Sequence, residues 1–108
     1  MRMLINTTFA IDSSIRQDFL DWLRCSFVPR AVEHGATSVV ASRVIGQMLD
    51  GPHDDEAEAY ACQFQMASRD DAAQWVEYLS ASLMPECHAA WGERILPFTT
   101  FMEIIDTD

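Results

Sequence analysis

The sequence predicts an α+β domain of the ferredoxin-like kind, βαββαβ, with one antiparallel sheet and two helices packed on one of its faces. Three observations carry this expectation. Residues 3–11 and 57–66 alternate apolar and polar side chains with the period of a strand. Two stretches between the predicted strands place apolar residues on one helical stripe, and each ends at a glycine. A polar loop, Asp50-Gly51-Pro52-His53-Asp54-Asp55-Glu56, joins the second and third strands, which makes them most simply a hairpin. Two right-handed crossovers around a hairpin generate this topology.

Taken in order, Met3, Ile5, Thr7, Phe9 and Ile11 form one face of the first strand, and Leu4, Asn6, Thr8 and Ala10 the other. Ser14 and Gln17 have the spacing of a capping box opening the first helix, from Ile15 to about Glu33. Ile15, Phe19, Trp22, Leu23 and Phe27 are its apolar stripe, and Pro29 is expected to kink it or start a new turn, because proline lacks the donor of one helical hydrogen bond. Gly35 is the expected stop. Thr37 to about Leu49 reads as the second strand, and Ala57 to Met66 as the third, with Tyr60, Cys62, Phe64 and Met66 on one side. Ser68 with Asp71 caps the second helix, whose buried stripe is Ala72, Trp75, Val76, Leu79 and Leu83. Pro85 interrupts it, a short continuation runs to Trp91, and Gly92 ends it. The last strand is expected over Ile95 to Ile105, with Pro97 near its start.

At 108 residues the chain is long enough for one domain, spanning 1–108, and too short for two. With 49% hydrophobic residues it supplies a core without covalent staples, and no apolar run reaches the 18 or more residues of a membrane span. Cys25, Cys62 and Cys87 are an odd number with no C-x-x-C spacing, so they are expected as reduced thiols, with Cys25 and Cys62 as packing residues. With no export signal read at the N-terminus, the cytoplasm is the expected setting. The net charge of −10 repels phosphate backbones and anionic bilayers, so neither nucleic acid nor a membrane is the expected partner.

Phe19-Leu20-Asp21-Trp22-Leu23 with Val28-Pro29 and Gly35, then Tyr60-Ala61-Cys62-Gln63-Phe64, then Trp91-Gly92 with Glu103 in the last strand, stand in an order and spacing that resemble the DUF4286 family. These are small bacterial proteins of unknown function, similar in layout to dimeric α/β-barrel proteins. The family pattern is W-L-x-W-M…H-I-P…T-G, then Y-A-V-Q-Y, then F-G…R-T…E. Its histidine falls here on Phe27, its T-G on His34-Gly35, and its arginine near Thr99. The resemblance implies a fold, and no activity or cofactor.

Candidate chemistry is sparse. His53, Asp54, Asp55, Glu56 and Glu58 offer oxygen ligands for a divalent cation, but without EF-hand spacing, and a solvated acidic loop is the better reading, so no metal is expected. Cys87 and His88 are sequence neighbours and point about 100° apart on a helix, which does not make an activated thiol. No Gly-rich phosphate loop and no Ser/His/Asp set exists, so the catalytic residues are unknown and no cofactor is expected. Trp22, Trp75 and Trp91 read as packing residues. The helices leave the second sheet face uncovered, with some of Leu4, Asn6, Ala10, Ala59, Ala61 and Gln63 upon it. A homodimer joined through that face is the expectation. Asn6 and Tyr60 are the candidate ligand-pocket residues. The function favoured is a non-enzymatic homodimeric domain that binds a small ligand or a protein partner. The alternatives are a cofactor-free or haem-dependent monooxygenase or isomerase of the dimeric barrel type, and a sensor whose assembly responds to ligand.

Overall fold

The computed structural model describes residues 1–45, 57–105 and 107. Strand β1 (Met3–Asp12) buries Met3, Ile5, Thr7, Phe9 and Ile11 and leaves Leu4, Asn6, Thr8 and Ala10 half-buried on its other side, which is the predicted alternation. β2 (Thr37–Val44), β3 (Ala57–Met66) and β4 (Ile95–Glu103) complete a four-stranded sheet in the order β2-β3-β1-β4, every neighbouring pair antiparallel. The two strands richest in buried apolar residues, β1 and β3, are therefore central, where both of their edges are hydrogen-bonded. The fold is ferredoxin-like, as the sequence predicts.

The edge strands carry the irregularities. β2 shifts register between Thr37 and Val40, and Ser38 has a left-handed φ of 53°. An extra residue of this kind bends an edge strand and blunts it against pairing with another chain. Pro97 sits opposite Phe9 on β4, an edge strand that tolerates the missing donor. β4 ends at Glu103 rather than Ile105. Past it, the amide of Ile104 donates to the carbonyl of Arg2 at 3.0 Å. The predicted continuation of β2 to Leu49, and the loop that follows, lie outside the described residues.

The helical layer consists of two broken helices of the same design. The first runs as α1 (Arg16–Trp22), a π turn (Leu23–Phe27) and α2 (Val28–Glu33). The second runs as α3 (Arg69–Tyr78), a π turn (Leu79–Leu83) and α4 (Met84–Trp91). Each proline lies two residues past its π turn. The residue before it donates five residues back, Val28 to Leu23 and Met84 to Leu79. The lost proline donor is thus absorbed by a widened turn, a π bulge, and the helix continues. The wide turn has a second effect. The buried residues Phe19, Leu23, Phe27 and Ala31 recur every four positions, as do Leu79, Leu83 and Cys87. In a regular α-helix that spacing drifts by about 40° per step. A turn holding more residues cancels part of the drift and keeps the stripe on the core.

Helix ends follow their sequence signals with one exception. Ser68 Oγ accepts from the amide of Asp71 at 3.1 Å, the predicted cap. At the other start, Ser14 does not cap. Asp12 accepts from the Ser14 amide at 2.9 Å and holds a single 3₁₀ turn (Ser13–Ile15), while Gln17 turns to Asp21. The aspartate wins because its carboxylate, two residues before that amide, closes a turn before the helix begins. The first helix ends at Gly35, whose φ of 99° suits glycine, with Ala36 donating to Ala31 and Gly35 to Val32, a Schellman motif.

Between the layers lies an aromatic core. Phe9 contacts the rings of Phe19, Phe27 and Trp22 at centroid distances of 5.1, 5.2 and 6.0 Å, and Trp75 is fully buried against Phe27 and Phe64. Thr7, also fully buried, shares a hydrogen bond with the hydroxyl of Thr99 at 2.9 Å and so satisfies its one polar group in the core. The shortest dimension of the molecule is 18 Å, which a sheet and one layer of helices fill, since a helix is about 10–12 Å across. The far face of the sheet is bare.

Candidate functional site

Three features stand apart from ordinary packing: the bare sheet face, an ion-pair cluster at the edge of the core, and a cleft between the first helix and β2.

Register determines what the bare face displays. β1 places Leu4, Asn6, Thr8 and Ala10 there. Opposite them β4 places Met102, Thr100, Phe98 and Leu96, and β3 places Gln65, Gln63, Ala61 and Ala59. Val40 and Val44 continue the face on β2. Leu96 is 67% exposed, Phe98 57% and Val40 54%, so large apolar side chains stand in water without a folding role. Asn6 donates through Nδ2 to Thr8 Oγ1 at 3.0 Å on this face.

The ion-pair cluster sits on the opposite, helical side. Glu58 is almost completely buried, two residues before Tyr60 on the same face of β3. Arg16, at the start of α1, grips its carboxylate: Nε donates to Oε1 at 2.8 Å and a second donor reaches Oε2. Tyr60 donates its hydroxyl to Oε1 at 2.6 Å, and Arg43 stands 3.9 Å away. The guanidinium bonds of Arg16 outweigh burial and hold the Glu58 carboxyl at about 2. Burial, reinforced by the neighbouring carboxylate, raises the Tyr60 hydroxyl above its ordinary value. A buried carboxylate so held is a structural anion, not a proton donor or acceptor near neutral pH.

A cleft of about 290 Å³ opens beside this cluster, between the first helix and the β2 edge. Leu20, Leu23 and Val28 give it an apolar wall, and Arg24, Arg43 and Tyr60 give it polar groups. A second cleft, of about 360 Å³, lies between α4 and β4 and is lined by Met84, Cys87, His88, Ile95 and Pro97.

The predicted site residues fall as follows. Asn6 and Tyr60 lie on opposite faces of the sheet, so no pocket within one chain holds both. His34 and His88 belong to the helical layer, on the far side of the sheet from Asn6. His34 Nδ1 is 2.8 Å from the carbonyl of Arg30, and its ring packs 4.4 Å from Tyr78. Cys87 is buried, its thiol pushed up to about 12 chiefly by desolvation, while His88 is exposed, so the neighbours form no thiolate pair. Cys62 is buried and its thiol is pushed up to about 11 by the same cause. Cys25 is exposed, contrary to its expected packing role, because it lies midway between the buried Leu23 and Phe27 and so faces away from their stripe. His53, Asp54, Asp55 and Glu56 lie outside the described residues; Glu58, grouped with them in sequence, is bound to Arg16 instead. Among the described residues no cluster of three His, Cys, Asp or Glu side chains could hold a metal ion. Arg24 and Arg43 escaped sequence reasoning. The available signal was strand alternation, which puts Arg43 on the face of Tyr60.

Comparison with known proteins agrees with the architecture. The family model described as "Domain of unknown function (DUF4286)" matches residues 2–105. No curated protein matches the chain. Among solved structures, a dimeric ferredoxin-like protein from an uncultured marine organism superimposes with a TM-score of 0.66 at 11% identity, each chain covered in full. A second dimeric ferredoxin-like protein from an uncultured marine organism gives 0.60 at 14% identity, with 98% of this chain and 97% of that one covered. An EthD-like protein from Ralstonia eutropha gives 0.62 at 13% identity, with 99% and 95% covered. At these identities the likeness is one of fold. No helix among the described residues is long and apolar enough to cross a membrane.

Proposed function

The chain belongs to the DUF4286 family of domains of unknown function, and from that premise we propose that it is a homodimeric, non-enzymatic binding domain, residues 1–108 acting as one unit. Two copies join through the bare sheet face, and the cleft beside Tyr60 receives a small ligand. The observation that carries the reading is the unpartnered sheet face, which displays Leu96, Phe98 and Met102 on one edge strand and Val40 and Val44 on the other. Covering such a face with a second copy of itself is the symmetric solution to its exposure. The molecule measures 39 × 35 Å in its two longer dimensions, ample for the about 800 Å² per partner of a stable interface. The two solved proteins described as dimeric ferredoxin-like support the same assembly. Asn6 then belongs to the interface and Tyr60 to the ligand cleft.

The net charge of −10 supports partners other than nucleic acid or an anionic bilayer. The free thiols support a cytoplasmic setting. The non-enzymatic reading is supported by the one buried carboxylate among the described residues being committed to Arg16 and by the buried thiols of Cys62 and Cys87 being held protonated.

Light scattering on the purified protein tests the assembly. The expected mass is twice the 12.2 kDa of the chain. Phe98→Asp and Leu96→Asp are expected to give folded monomers, since both side chains are exposed within one chain. A wild-type protein that stays monomeric up to high concentration overturns the reading.

A further inference from the structure

We propose that the cleft between the first helix and β2 binds a small monocarboxylic acid with an apolar tail, Arg24 and Arg43 receiving the carboxylate and Leu20, Leu23 and Val28 the tail. This rests on the reading of the cleft as a ligand site and names the ligand's class.

The argument begins with the arginines. All seven basic residues of the chain are arginine, in a sequence with 17 acids. Among the described residues three of them hold a carboxylate closely and a fourth holds an amide. Arg16 is locked on Glu58, Arg30 on Glu86 at 2.7 Å, Arg69 on Glu103, and Arg2 donates to Gln65 at 3.0 Å. Arg24 and Arg43 differ: their nearest carboxylates among the described residues, Asp21 and Glu58, are each 3.9 Å away, beyond hydrogen-bonding distance. Glu58 already receives Arg16 and Tyr60. Arg2 and Arg94 also have no carboxylate in hydrogen-bonding range among the described residues, but neither lines this cleft, whereas Arg24 and Arg43 both do.

The rest of the cleft specifies the tail. Leu20, Leu23 and Val28 present hydrocarbon, and Tyr60 closes the inner side with its hydroxyl turned to Glu58. An apolar pocket with a few convergent polar groups is the usual form of a small-molecule site, and about 290 Å³ is at the small end of the range. Guanidinium groups match the planar fork of a carboxylate. The distant acidic surface is screened beyond about 8 Å at physiological salt; of the two carboxylates nearest these arginines, Glu58 is neutralised by Arg16 and Asp21 is exposed to solvent. Leu23 and Arg24 also belong to the π turn, a distortion that recurs at functional sites.

The test is an NMR titration of the full-length protein with sodium octanoate and, separately, with octan-1-ol, which has the same tail and no charge. Octanoate is expected to give saturable shifts centred on Leu20, Leu23, Val28 and Arg43 and to bind about tenfold more tightly than the alcohol, the factor that corresponds to one charge-assisted contact. Arg24→Gln and Arg43→Gln are each expected to weaken octanoate severalfold and leave octanol unchanged. Both side chains are more than half exposed, so the variants fold. Equal binding of both probes at the cleft overturns the carboxylate class while the ligand site stands. No saturable shift at the cleft with either probe, or shifts confined to the sheet face, overturns both. The dimer mass measured in parallel keeps either result separate from the assembly.

Discussion

Arg30 and Glu86 each follow the proline of their own broken helix by one residue, and their side chains meet at 2.7 Å. The pair joins the two helices at equivalent points of one repeated design. Glu86 also accepts from the indole of Trp22 at 2.9 Å, so one carboxylate fastens α4 to both halves of the first helix. Bonds from Arg30 and from Trp22 lower the Glu86 carboxyl below its usual range.

This geometry makes the two partners unequal. Arg30→Ala removes one half-exposed ion pair, a contribution of about 0.5 kcal/mol. Glu86→Ala also leaves the Trp22 indole donor without an acceptor and is expected to cost about 1–2 kcal/mol. Chemical denaturation of the two variants checks the order. Equal losses would show that the indole bond contributes nothing.

Acid stability is expected to depend on Glu58. Its carboxyl titrates at about 2 in the folded protein, against about 4.3 in an unfolded chain. The folded state therefore binds fewer protons between these values. The stabilisation is complete above about pH 4.3 and is lost as pH falls toward 2. Other carboxylates titrate in this window too, so the measurement is a difference. Denaturation curves of wild type and Glu58→Gln are expected to lie apart at pH 6 and converge toward pH 2. A constant gap across the window would mean the Arg16 grip does not act through charge.

Thiol labelling is expected to split one to two. Cys25 is exposed and should react with a disulfide reagent in the native protein. Cys62 and Cys87 are buried with thiols pushed up to about 11 and about 12, and both should react only at the rate of unfolding. Fast labelling of Cys87 would mean that α4 opens locally, and would reopen the question of its neighbour His88.

The elements whose pattern is local were legible in the sequence. β1 and β3 alternate cleanly because each has one face toward the core, and a period of two cannot be produced by a helix. Ser68, Gly35 and Gly92 act through their own backbone neighbours, so their roles needed no tertiary information. Pro29 and Pro85 announced an irregularity, but a kink and a π bulge differ only in how the next turn closes, and the packing stripe decides that. Ser14 was a plausible cap that lost to Asp12, since both offer an oxygen to the same turn.

By itself the sequence determined the order of elements, the buried face of each, and an acidic surface that discourages phosphate partners, because these follow from side-chain period and charge along the chain. Only the tertiary structure decided which side chains meet. Arg16 and Glu58, and Arg30 and Glu86, lie far apart in sequence and are brought together by packing. The separation of Asn6 from Tyr60 already followed from alternation, which puts Asn6 with Gln63 on the uncovered face and Tyr60 on the other, and the pairing register agrees. The cleft holding Arg24 and Arg43 lies between the first helix and β2, a gap between two surfaces that no single segment encodes.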